Sequence, residues 1–397
     1  MGTDPNLRHS SLIIAPQWIG DAVMTEPLLR RLKARGERLT VGALPWVAPV
    51  YRAMPQVAQV IELPFAHGGL QLKARRALAQ SLAGQFDVAY VLPNSLKSAL
   101  LPLLAGIPKR VGYRGESRFG LLTHRLQNPP KKQRPPMVAF YSRLCTDIAV
   151  DIQNAAQNSA PTPTSGLARS PAPSTHNSAS ESSSNGDLTQ DYGDDLSQDR
   201  PHLQIPDAQV AEALQSLALQ RLGFYVFAPG AEYGPAKRWP AAHFAELARQ
   251  LDLPVILLGS TKESALCDEI AAIVNAARPG QCLNLAGKTT LAQAFAAISA
   301  AKAVVSNDSG LMHVAAAFGV PQVAIFGSSS PIHTPPLSTR ASVLWLKQDA
   351  SYQPPLDCAP CFERECPLPP DQGHMRCLLD IQPQVVLQQL KAALQNP

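Results

Sequence analysis

An aspartate lies where many α/β proteins place a phosphate-binding turn. Asp21 follows Gly20 in the segment PQWIGDAVM, residues 16–24, directly after the short apolar run 12–15 and ahead of a helical pattern. Backbone N–H groups and the helix dipole make such a turn attractive to anions, so a carboxylate there takes the place of a phosphate. Either Asp21 only caps the helix, or it is a chemical group in a half of the chain that holds no nucleotide.

A second candidate site lies in the segment AVVSNDSGLMHVAAAFGVPQVAIFG, residues 303–327. A strand pattern runs into Asn307, Asp308, Ser309 and Gly310, whose small side chains leave the N–H groups of the next helix open to an anion such as a diphosphate. His313, one turn into that helix, could reach a phosphate or a sugar. The alternatives are an ordinary helix start with Asp308 or Ser309 as the cap, and a purely structural histidine.

A third segment, APGAEYGPAKRWP at 228–240, combines glycine with two cations. Gly230 lies in a loop between a strand pattern and a helix pattern, and Lys237 and Arg238 come just before the helix. The helix dipole disfavours cations there, so an anionic ligand explains them better than helix stability does, with a solvated charge pair as the alternative. We therefore expect the C-terminal half to hold the nucleotide and Asp21 to face a different substrate.

Short apolar runs alternate with helical patterns in both halves of the chain. This alternation predicts parallel sheets covered by helices on both faces, and hence two doubly wound α/β domains. The predicted strands are 12–15, 39–43, 57–63, 87–92, 110–113, 224–228, 254–258, 282–285, 303–306 and 322–326. The predicted helices are 21–35 with a kink at Pro27, 70–83, 240–251, 263–274, 291–301, 310–318 and the amphipathic C-terminal helix 380–394.

The size and composition indicate a soluble two-domain protein. The chain has 397 residues, 45% of them hydrophobic, and a formal net charge of +5. That charge suits acidic ligands but is too small for a nucleic-acid binder. We expect a cytoplasmic location, because no signal-peptide pattern and no apolar run of about 18 residues is found. Residues 154–199 hold almost no aliphatic side chains, which predicts a disordered insert, with a partner-docking segment as the alternative.

Three separated segments make the chain recognisable. They are PQWIGDAVMTEPLLRRLKARG at 16–36, FAPGAEYGPAKRWPAAHFAELARQL at 227–251, and AGKTTLAQAFAAISAAKAVVSNDSGLMHVAAAFGVPQVAIFGSSSP at 286–331. In this order they resemble the bacterial ADP-heptose:lipopolysaccharide heptosyltransferases, most closely the heptosyltransferase II branch of that family. The resemblance covers essentially the whole chain apart from the insert.

The resemblance implies a GT-B fold, in which two Rossmann-like domains face each other across a cleft. It assigns 1–153 to an acceptor-binding domain, 154–200 to the insert, 201–380 to a nucleotide-sugar-binding domain and 381–397 to the C-terminal helix. The implied reaction is an inverting, metal-independent transfer of L-glycero-D-manno-heptose from ADP-heptose to the first inner-core heptose on Kdo2-lipid A. The alternatives are heptosyltransferase I, which acts on Kdo2-lipid A itself, and a non-catalytic nucleotide-sugar-binding protein. A dinucleotide-dependent oxidoreductase is disfavoured, because 15–21 lacks G-x-G-x-x-G.

The resemblance also assigns roles to single residues. Asp21 matches the general base of the family, and we expect the helix N-terminus to keep its carboxylate ionised at neutral pH at some cost in basicity. Lys237 matches the phosphate contact. Glu263 resembles a ribose-binding acid, with an ordinary first-turn helix acid as an equal alternative. The predicted donor-binding set is Gly230, Lys237, Arg238, Glu263, Asp308, Ser309, Gly310 and His313.

The implied acceptor carries carboxylates and phosphates on a lipid anchor, so a basic surface is expected on the N-terminal half. Gly20, Lys109, Arg110 and Arg114 are the predicted acceptor-binding residues. The wider basic cluster is Lys109, Arg110, Arg114, Arg118, Arg125, Lys131, Lys132 and Arg134. It fits a peripheral contact of a monomer with the cytosolic face of the inner membrane, and a solvated face is the alternative.

Four of the seven cysteines, Cys358, Cys361, Cys366 and Cys377, are spaced as in a structural zinc or iron–sulfur site. The resemblance implies a chemistry that requires no metal or other cofactor. Reduced cysteines in a loop, as the cytosol favours, are therefore the alternative.

Overall fold

The computed structural model describes residues 9–65, 69–130, 134–145 and 198–395, which form two α/β domains. The first is built on β1 (His9–Ile14), β2 (Glu37–Ala43), β3 (Val57–Glu62), β4 (Val88–Val91), β5 (Lys109–Tyr113) and β6 (His124–Leu126). The second is built on β7 (Tyr225–Ala228), β8 (Val255–Leu257), β9 (Cys282–Asn284), β10 (Val304–Asn307), β11 (Gln322–Ile325) and β12 (Ala341–Leu344). The prediction of two α/β domains is confirmed.

The helices follow the strands in alternation. The first domain contains α1 (Ile19–Met24), α2 (Glu26–Ala34), α3 (Ala48–Arg52), α4 (Leu72–Leu82), α5 (Leu96–Leu104) and the helical residues 137–145. The second contains α6 (Asp207–Ser216), α7 (Ala241–Arg249), α8 (Ser264–Ala277), α9 (Leu291–Ala300), α10 (Gly310–Ala317), α11 (Arg376–Leu379) and α12 (Pro383–Gln395). Within the described ranges, no helix has both the length and the apolar character that a bilayer span requires.

The two sheets share one topology. Their strand orders are β3-β2-β1-β4-β5-β6 and β12-β11-β10-β7-β8-β9, and every pair of neighbours is parallel. In each sheet the direction of winding reverses between the first and the fourth strand of the domain. Ligands of such sheets bind at the carboxyl ends of the strands beside this reversal. The topology therefore directs attention to the loops after β1, β7 and β10.

The central strands are buried on both faces, which explains their continuous apolar runs. Along β1, Ile13 joins one hydrophobic cluster, whereas Leu12 and Ile14 join the cluster on the opposite face of the sheet. This is the two-residue period of a strand. The first cluster continues into the second domain and includes Phe224 and Phe295. The two domains therefore share part of one apolar core.

The predicted helix 21–35 is instead two helices, α1 and α2. The helical structure is interrupted at Thr25, whose hydroxyl donates to the carbonyl oxygen of Ala22 at 2.7 Å. Pro27 lies in the first turn of α2, where its missing N–H is not needed. The predicted kink at Pro27 is thus a break two residues earlier.

The prediction missed the outer strands β6 and β12 and the helices α3, α5 and α6. It placed the C-terminal helix well, and Val386 and Leu390 of α12 pack in the same cluster as Phe244 of the second domain. Most of the predicted disordered insert, 154–197, lies outside the described residues. At its end, Asp199 is buried and pairs with Arg31 of α2 at 2.7 Å.

Trp239 connects the start of α7 to the start of α12. Its indole N–H donates to the carbonyl oxygen of Ile381 at 2.9 Å, and its ring meets Phe244 edge-on. Trp239→Phe leaves that buried carbonyl without a donor, which costs about 1–3 kcal/mol. We expect a lower midpoint in urea unfolding. Trp46→Phe is the matched control, because the exposed Trp46 indole also donates to a carbonyl, that of Gln17, at 3.0 Å. Equal midpoints for the two variants would contradict the assignment.

Candidate active site

Asp21 is a side chain of the first turn of α1 and not its cap. The N-cap position belongs to Trp18, where no side-chain cap is formed. The Tyr141 hydroxyl donates to Asp21 Oδ1 at 3.2 Å from the helical residues 137–145. Burial raises the pKa of Tyr141 well above its usual range, so its hydroxyl stays protonated as a donor. The alternative that Asp21 merely caps the helix is wrong.

The carboxyl group of Asp21 is a stronger base than an exposed aspartate. Burial raises its pKa to about 6, against the lowering effect of the Tyr141 hydrogen bond, and the nearby Asp308 carboxylate raises it further. Loss of solvation penalises the charged form, and here that cost outweighs any help from the helix dipole. The group is still mostly ionised at neutral pH. The expected loss of basicity is wrong, because the pKa is shifted in the opposite direction.

The N-termini of α1 and α10 touch at two glycines, one from each domain. A Cβ atom on Gly20 would lie 2.9 Å from Cδ2 of His313, and one on Gly310 would lie 2.9 Å from Cβ of Ile19. Only glycine permits this approach at either position. His313 is buried in the contact, which lowers its pKa to about 4, so it is neutral at pH 7. It therefore offers a neutral hydrogen-bonding ring and not a cation.

Lys237 and Asp308, both predicted to bind the donor, lie together in the second domain. Lys237 ends the short turn Pro235–Lys237 after β7, and its Nζ lies 2.5 Å from Oδ2 of Asp308. Both side chains are largely shielded from solvent, at 18% and 7% exposure. Arg238 donates to the carbonyl oxygen of Ala231 at 3.3 Å. The cations are thus held inside the site, and the alternative of a solvated pair is wrong for Lys237.

Asn307 fixes the two donor-side loops to each other. Its Oδ1 accepts from the N–H of Trp239 at 2.9 Å, and its Nδ2 donates to the carbonyl oxygen of Pro229 at 2.7 Å. The residue is fully buried at the end of β10. One amide therefore holds the loop after β7 at both ends and sets where Lys237 stands relative to Asp308.

Three buried serine hydroxyls lie near Asp308. Ser309 is its neighbour in sequence, and the other two follow the adjacent strand. Ser309, Ser328 and Ser329 each have an Oγ atom with no hydrogen-bond partner within the described part of the chain. Ser328 and Ser329 follow β11, which is the neighbour of β10 in the sheet. Buried hydroxyls normally have hydrogen-bond partners, so these three are suited to donate hydrogen bonds to oxygen atoms of a ligand.

Glu263 lies against Gly230, but its carboxylate already has a structural role. It forms a capping box with Ser260, whose N–H donates to Oε2 of Glu263 at 2.6 Å. A Cβ atom on Gly230 would collide with the other carboxylate oxygen. Glu263 therefore acts as an ordinary acid of the first helical turn, as the alternative had it, and its contact with the ribose stays a prediction.

The structure does not bring all of the predicted acceptor-binding residues to Asp21. Lys109 and Arg110 open β5 at the amino end of the sheet, opposite the edge that carries Asp21, and Arg110 donates to the carbonyl oxygens of Ile107 and Leu121 at 2.6 and 2.7 Å. Arg114, at the carboxyl end of β5, is exposed on the same edge as Gly20.

Three further members of the predicted basic cluster are Arg118, Lys131 and Lys132. Arg118 is 2% exposed and donates to Pro93 and Asn94, so its place in an exposed basic cluster is wrong. Lys131 and Lys132 lie outside the described residues.

The four C-terminal cysteines are all free thiols. No group of three or more His, Cys, Asp or Glu side chains in the described ranges is arranged to hold a metal ion. The structural metal site suggested by the spacing stays a prediction; burial, and to a smaller extent the neighbouring thiols of Cys358, Cys366 and Cys361, raises the pKa of Cys377 to about 12. The loop that carries Cys361 and Cys366 packs on the donor-side loop, where the carbonyl oxygen of Arg364 accepts from the N–H of Ala236 at 3.0 Å.

Sequence reasoning missed Tyr141, the role of Asn307 in joining the two loops, and the serines Ser328 and Ser329. The serines follow a strand and a glycine at the carboxyl edge, and that position was a usable signal. Asn307 lies inside a segment already singled out, but its partners Pro229 and Trp239 are distant in sequence. Nothing local marks Tyr141, which is 120 positions from Asp21.

The chain is similar to known glycosyltransferases along nearly its whole length. The family model described as Glycosyltransferase family 9 (heptosyltransferase) matches residues 75–179 and 182–371. Lipopolysaccharide heptosyltransferase 2 of Escherichia coli (strain K12) is 40% identical over 396 residues, covering 96% of this chain and 98% of that protein. Lipooligosaccharide heptosyltransferase 2 of Haemophilus influenzae is 35% identical over 393 residues, covering 96% and 99%.

The solved structure of E. coli ADP-heptose LPS heptosyltransferase II superposes with a TM-score of 0.72 at 38% identity, covering 97% of this chain and 98% of that one. The likeness confirms the predicted GT-B arrangement of two Rossmann-like domains.

Tyr141→Phe removes the hydroxyl that donates to Asp21 and keeps the ring. A hydrogen bond to a carboxylate favours its charged form, so we expect the pKa of Asp21 to rise above its value of about 6 in this variant. A ¹³C NMR titration of the Asp21 carboxyl carbon, assigned with Asp21→Asn, measures it. Tyr51→Phe is the control, because the Tyr51 hydroxyl lies 3.2 Å from Thr25 Oγ1. An unchanged pKa in Tyr141→Phe, or an equal rise in the control, would contradict the role of Tyr141.

Proposed function

The chain belongs to glycosyltransferase family 9, the heptosyltransferases, and we propose that it transfers L-glycero-D-manno-heptose from ADP-heptose to the first inner-core heptose of lipopolysaccharide. The observation that supports this proposal is that each domain contributes a different set of chemical groups to the same site. The first domain contributes the Asp21 carboxylate, and the second contributes Lys237, Asp308 and a glycine-bounded helix start. A base and a diphosphate-binding loop on facing domains are what transfer from a nucleotide sugar requires.

Asp21 is the proposed general base. In a single displacement, the acceptor hydroxyl loses its proton as its oxygen attacks the anomeric carbon, and the configuration at that carbon inverts. A carboxylate with a pKa of about 6 is mostly ionised at neutral pH and still a useful proton acceptor. Tyr141 holds one oxygen of this carboxylate, which leaves the other oxygen for the acceptor hydroxyl.

The second domain is proposed to stabilise the departing ADP. Negative charge grows on the diphosphate as the bond breaks, and pre-positioned donors stabilise it. Lys237, Arg238 and the N–H groups at the start of α10 supply such donors, while the hydroxyls of Ser309 and Ser328 can receive sugar or phosphate oxygens. Because Asn307 already fixes this loop, little rearrangement is needed when the donor binds.

The remaining assignments follow from position. We propose that Glu263 binds the ribose with the oxygen that its capping bond leaves over, that His313 contacts the sugar as a neutral ring, and that Arg114 meets anionic groups of the acceptor. The protein would act as a monomer at the cytosolic face of the inner membrane. No metal or other cofactor is proposed for the transfer.

The acceptor distinguishes the main alternative, heptosyltransferase I. Incubation with ADP-heptose and Kdo2-lipid A bearing either no heptose or one heptose tests it directly. Transfer only to the heptosylated acceptor supports the proposal, and transfer only to the bare acceptor overturns it. A protein that binds ADP-heptose but turns over neither acceptor would be a nucleotide-sugar-binding protein.

Asp21→Asn is expected to lower turnover at least about 100-fold, because the amide cannot accept the proton. The wild-type rate at low substrate concentration should fall as the pH drops below about 6, where the carboxylate becomes protonated. Glu26→Gln is the matched control, since Glu26 is another buried acid, on α2, whose pKa is raised by burial. Its turnover should stay within about twofold. Near-normal turnover of a folded Asp21→Asn would remove Asp21 from the role of base.

Lys237→Ala is expected to weaken ADP binding about 10- to 100-fold, which corresponds to the loss of one charge-assisted hydrogen bond. Titration calorimetry with ADP measures the affinity, and Lys237→Arg should recover part of it. Lys262→Ala is the control, because Lys262 is an exposed lysine on the same side of the domain that pairs with Glu232 at 2.7 Å. Unchanged ADP affinity in Lys237→Ala would contradict the phosphate contact.

A further inference from the structure

The first domain exposes its large hydrophobic side chains along a single edge. Four such side chains are exposed in the described part of this domain: Trp18, Trp46, Leu70 and Phe119, at 52%, 47%, 47% and 74%. Trp18 follows β1, Trp46 follows β2, Leu70 follows β3 and Phe119 follows β5. We call these four residues the hydrophobic rim. Because all strands of the sheet are parallel, the rim lies along its carboxyl edge, which is also the edge of Asp21.

Specific contacts fix the loops that carry the rim. The Trp46 indole N–H donates to the carbonyl oxygen of Gln17, next to Trp18, at 3.0 Å. The carbonyl oxygen of Leu70 accepts from Arg75 Nε at 2.9 Å, and the Arg75 guanidinium stacks on Phe65 at 4.0 Å.

Phe119 is anchored through its neighbour in sequence. Arg118 is buried and donates to the carbonyl oxygen of Pro93 at 2.7 Å and to Asn94 Oδ1 at 3.1 Å, both directly after β4. These contacts hold the base of the Phe119 loop at the carboxyl edge. Exposed hydrophobic side chains that are grouped on one surface, rather than scattered singly, mark an interaction site, and these four share one edge of the domain.

The charges around the rim are mainly positive. The connecting segments 15–18, 44–47, 63–71, 92–95 and 114–123 contain no aspartate and one glutamate, Glu116. Its carboxylate accepts from the N–H of Leu96 at 2.9 Å. Arg114 is exposed at the same edge, and the guanidinium of Arg125 lies over the Phe119 ring at 4.8 Å. A surface of this charge suits an anionic partner.

We propose that the hydrophobic rim inserts into the headgroup region of an anionic bilayer and brings the edge of the domain that carries Asp21 close to the membrane surface. Tryptophan favours that region, and apolar tips flanked by arginine are the pattern of interfacial anchors. From β3 to β5 the rim extends over about 19 Å, at about 4.8 Å per strand, so several lipids would be contacted at once. The inference rests on the proposed function, because an acceptor embedded in the bilayer gives this edge a reason to reach it.

Cosedimentation of the full chain with vesicles tests the proposal. Wild-type protein should bind vesicles of phosphatidylcholine with 30 mol% phosphatidylglycerol, and bind pure phosphatidylcholine more weakly. The double variant Leu70→Ser, Phe119→Ser should bind the anionic vesicles at least tenfold more weakly, with an unchanged melting temperature. The matched control is Leu222→Ser, Leu283→Ser, which removes two exposed leucines from the second domain. It should bind like the wild type.

Equal vesicle binding by the rim variant and the wild type would overturn the proposal, as would absence of wild-type binding. A change from dimer to monomer in the rim variant on size exclusion would also overturn it, because the rim would then join two copies of the chain. Transfer to a deacylated, water-soluble acceptor separates this test from the proposed function. The rim variant should keep that activity while losing activity on vesicle-embedded acceptor. If the wild type transfers to no acceptor, the proposed function fails and the vesicle result stands by itself.

Discussion

The contact between the starts of α1 and α10 is the constraint on which the rest of the site depends. Gly20 and Gly310 allow helices from two domains to approach until Gly20 meets His313 and Gly310 meets Ile19. This approach buries Asp21 and His313, and burial moves both toward their neutral forms, with a pKa of about 6 for the aspartate and about 4 for the histidine. The glycines thus have a chemical consequence as well as a steric one. By allowing close packing, they make the aspartate a better base.

The charged groups at this contact also interact with one another. The Asp308 carboxylate lies close enough to disfavour the charged form of Asp21, and Lys237 pairs with Asp308 at 2.5 Å. A diphosphate that engages Lys237 competes with Asp308 for the same ammonium group. We expect Asp308 to be less neutralised while the donor is bound, which would raise the pKa of Asp21 further. Donor binding and the strength of the base are therefore electrostatically linked, and Asn307 fixes the geometry of that link.

The sequence was sufficient for features that depend on local pattern. Apolar runs such as 12–15 located the central strands, and the small residues around Ser309 located a helix start in the site. It failed where long-range packing decides. The outer strand β6 is three residues long and carries too weak a pattern. Arg118 appears as one cation among several, and only the fold shows it buried with Pro93 and Asn94. The pKa of Asp21 was misjudged because the helix dipole is a local property, whereas burial between domains is not.

The helical residues 137–145 show why the orientation of Asp21 could not be derived locally. The N–H of Met137 donates to the carbonyl oxygen of His333 in the second domain at 2.9 Å, and Tyr141, one turn later, donates to Asp21 in the first. A free N–H of the first helical turn and a side chain of the next turn thus join this helix to both domains. The stack of Phe140 on Tyr113 at 3.9 Å fixes this helix to the first sheet. Any displacement of the second domain would therefore strain the bond at Met137 and act on the hydroxyl that positions the base.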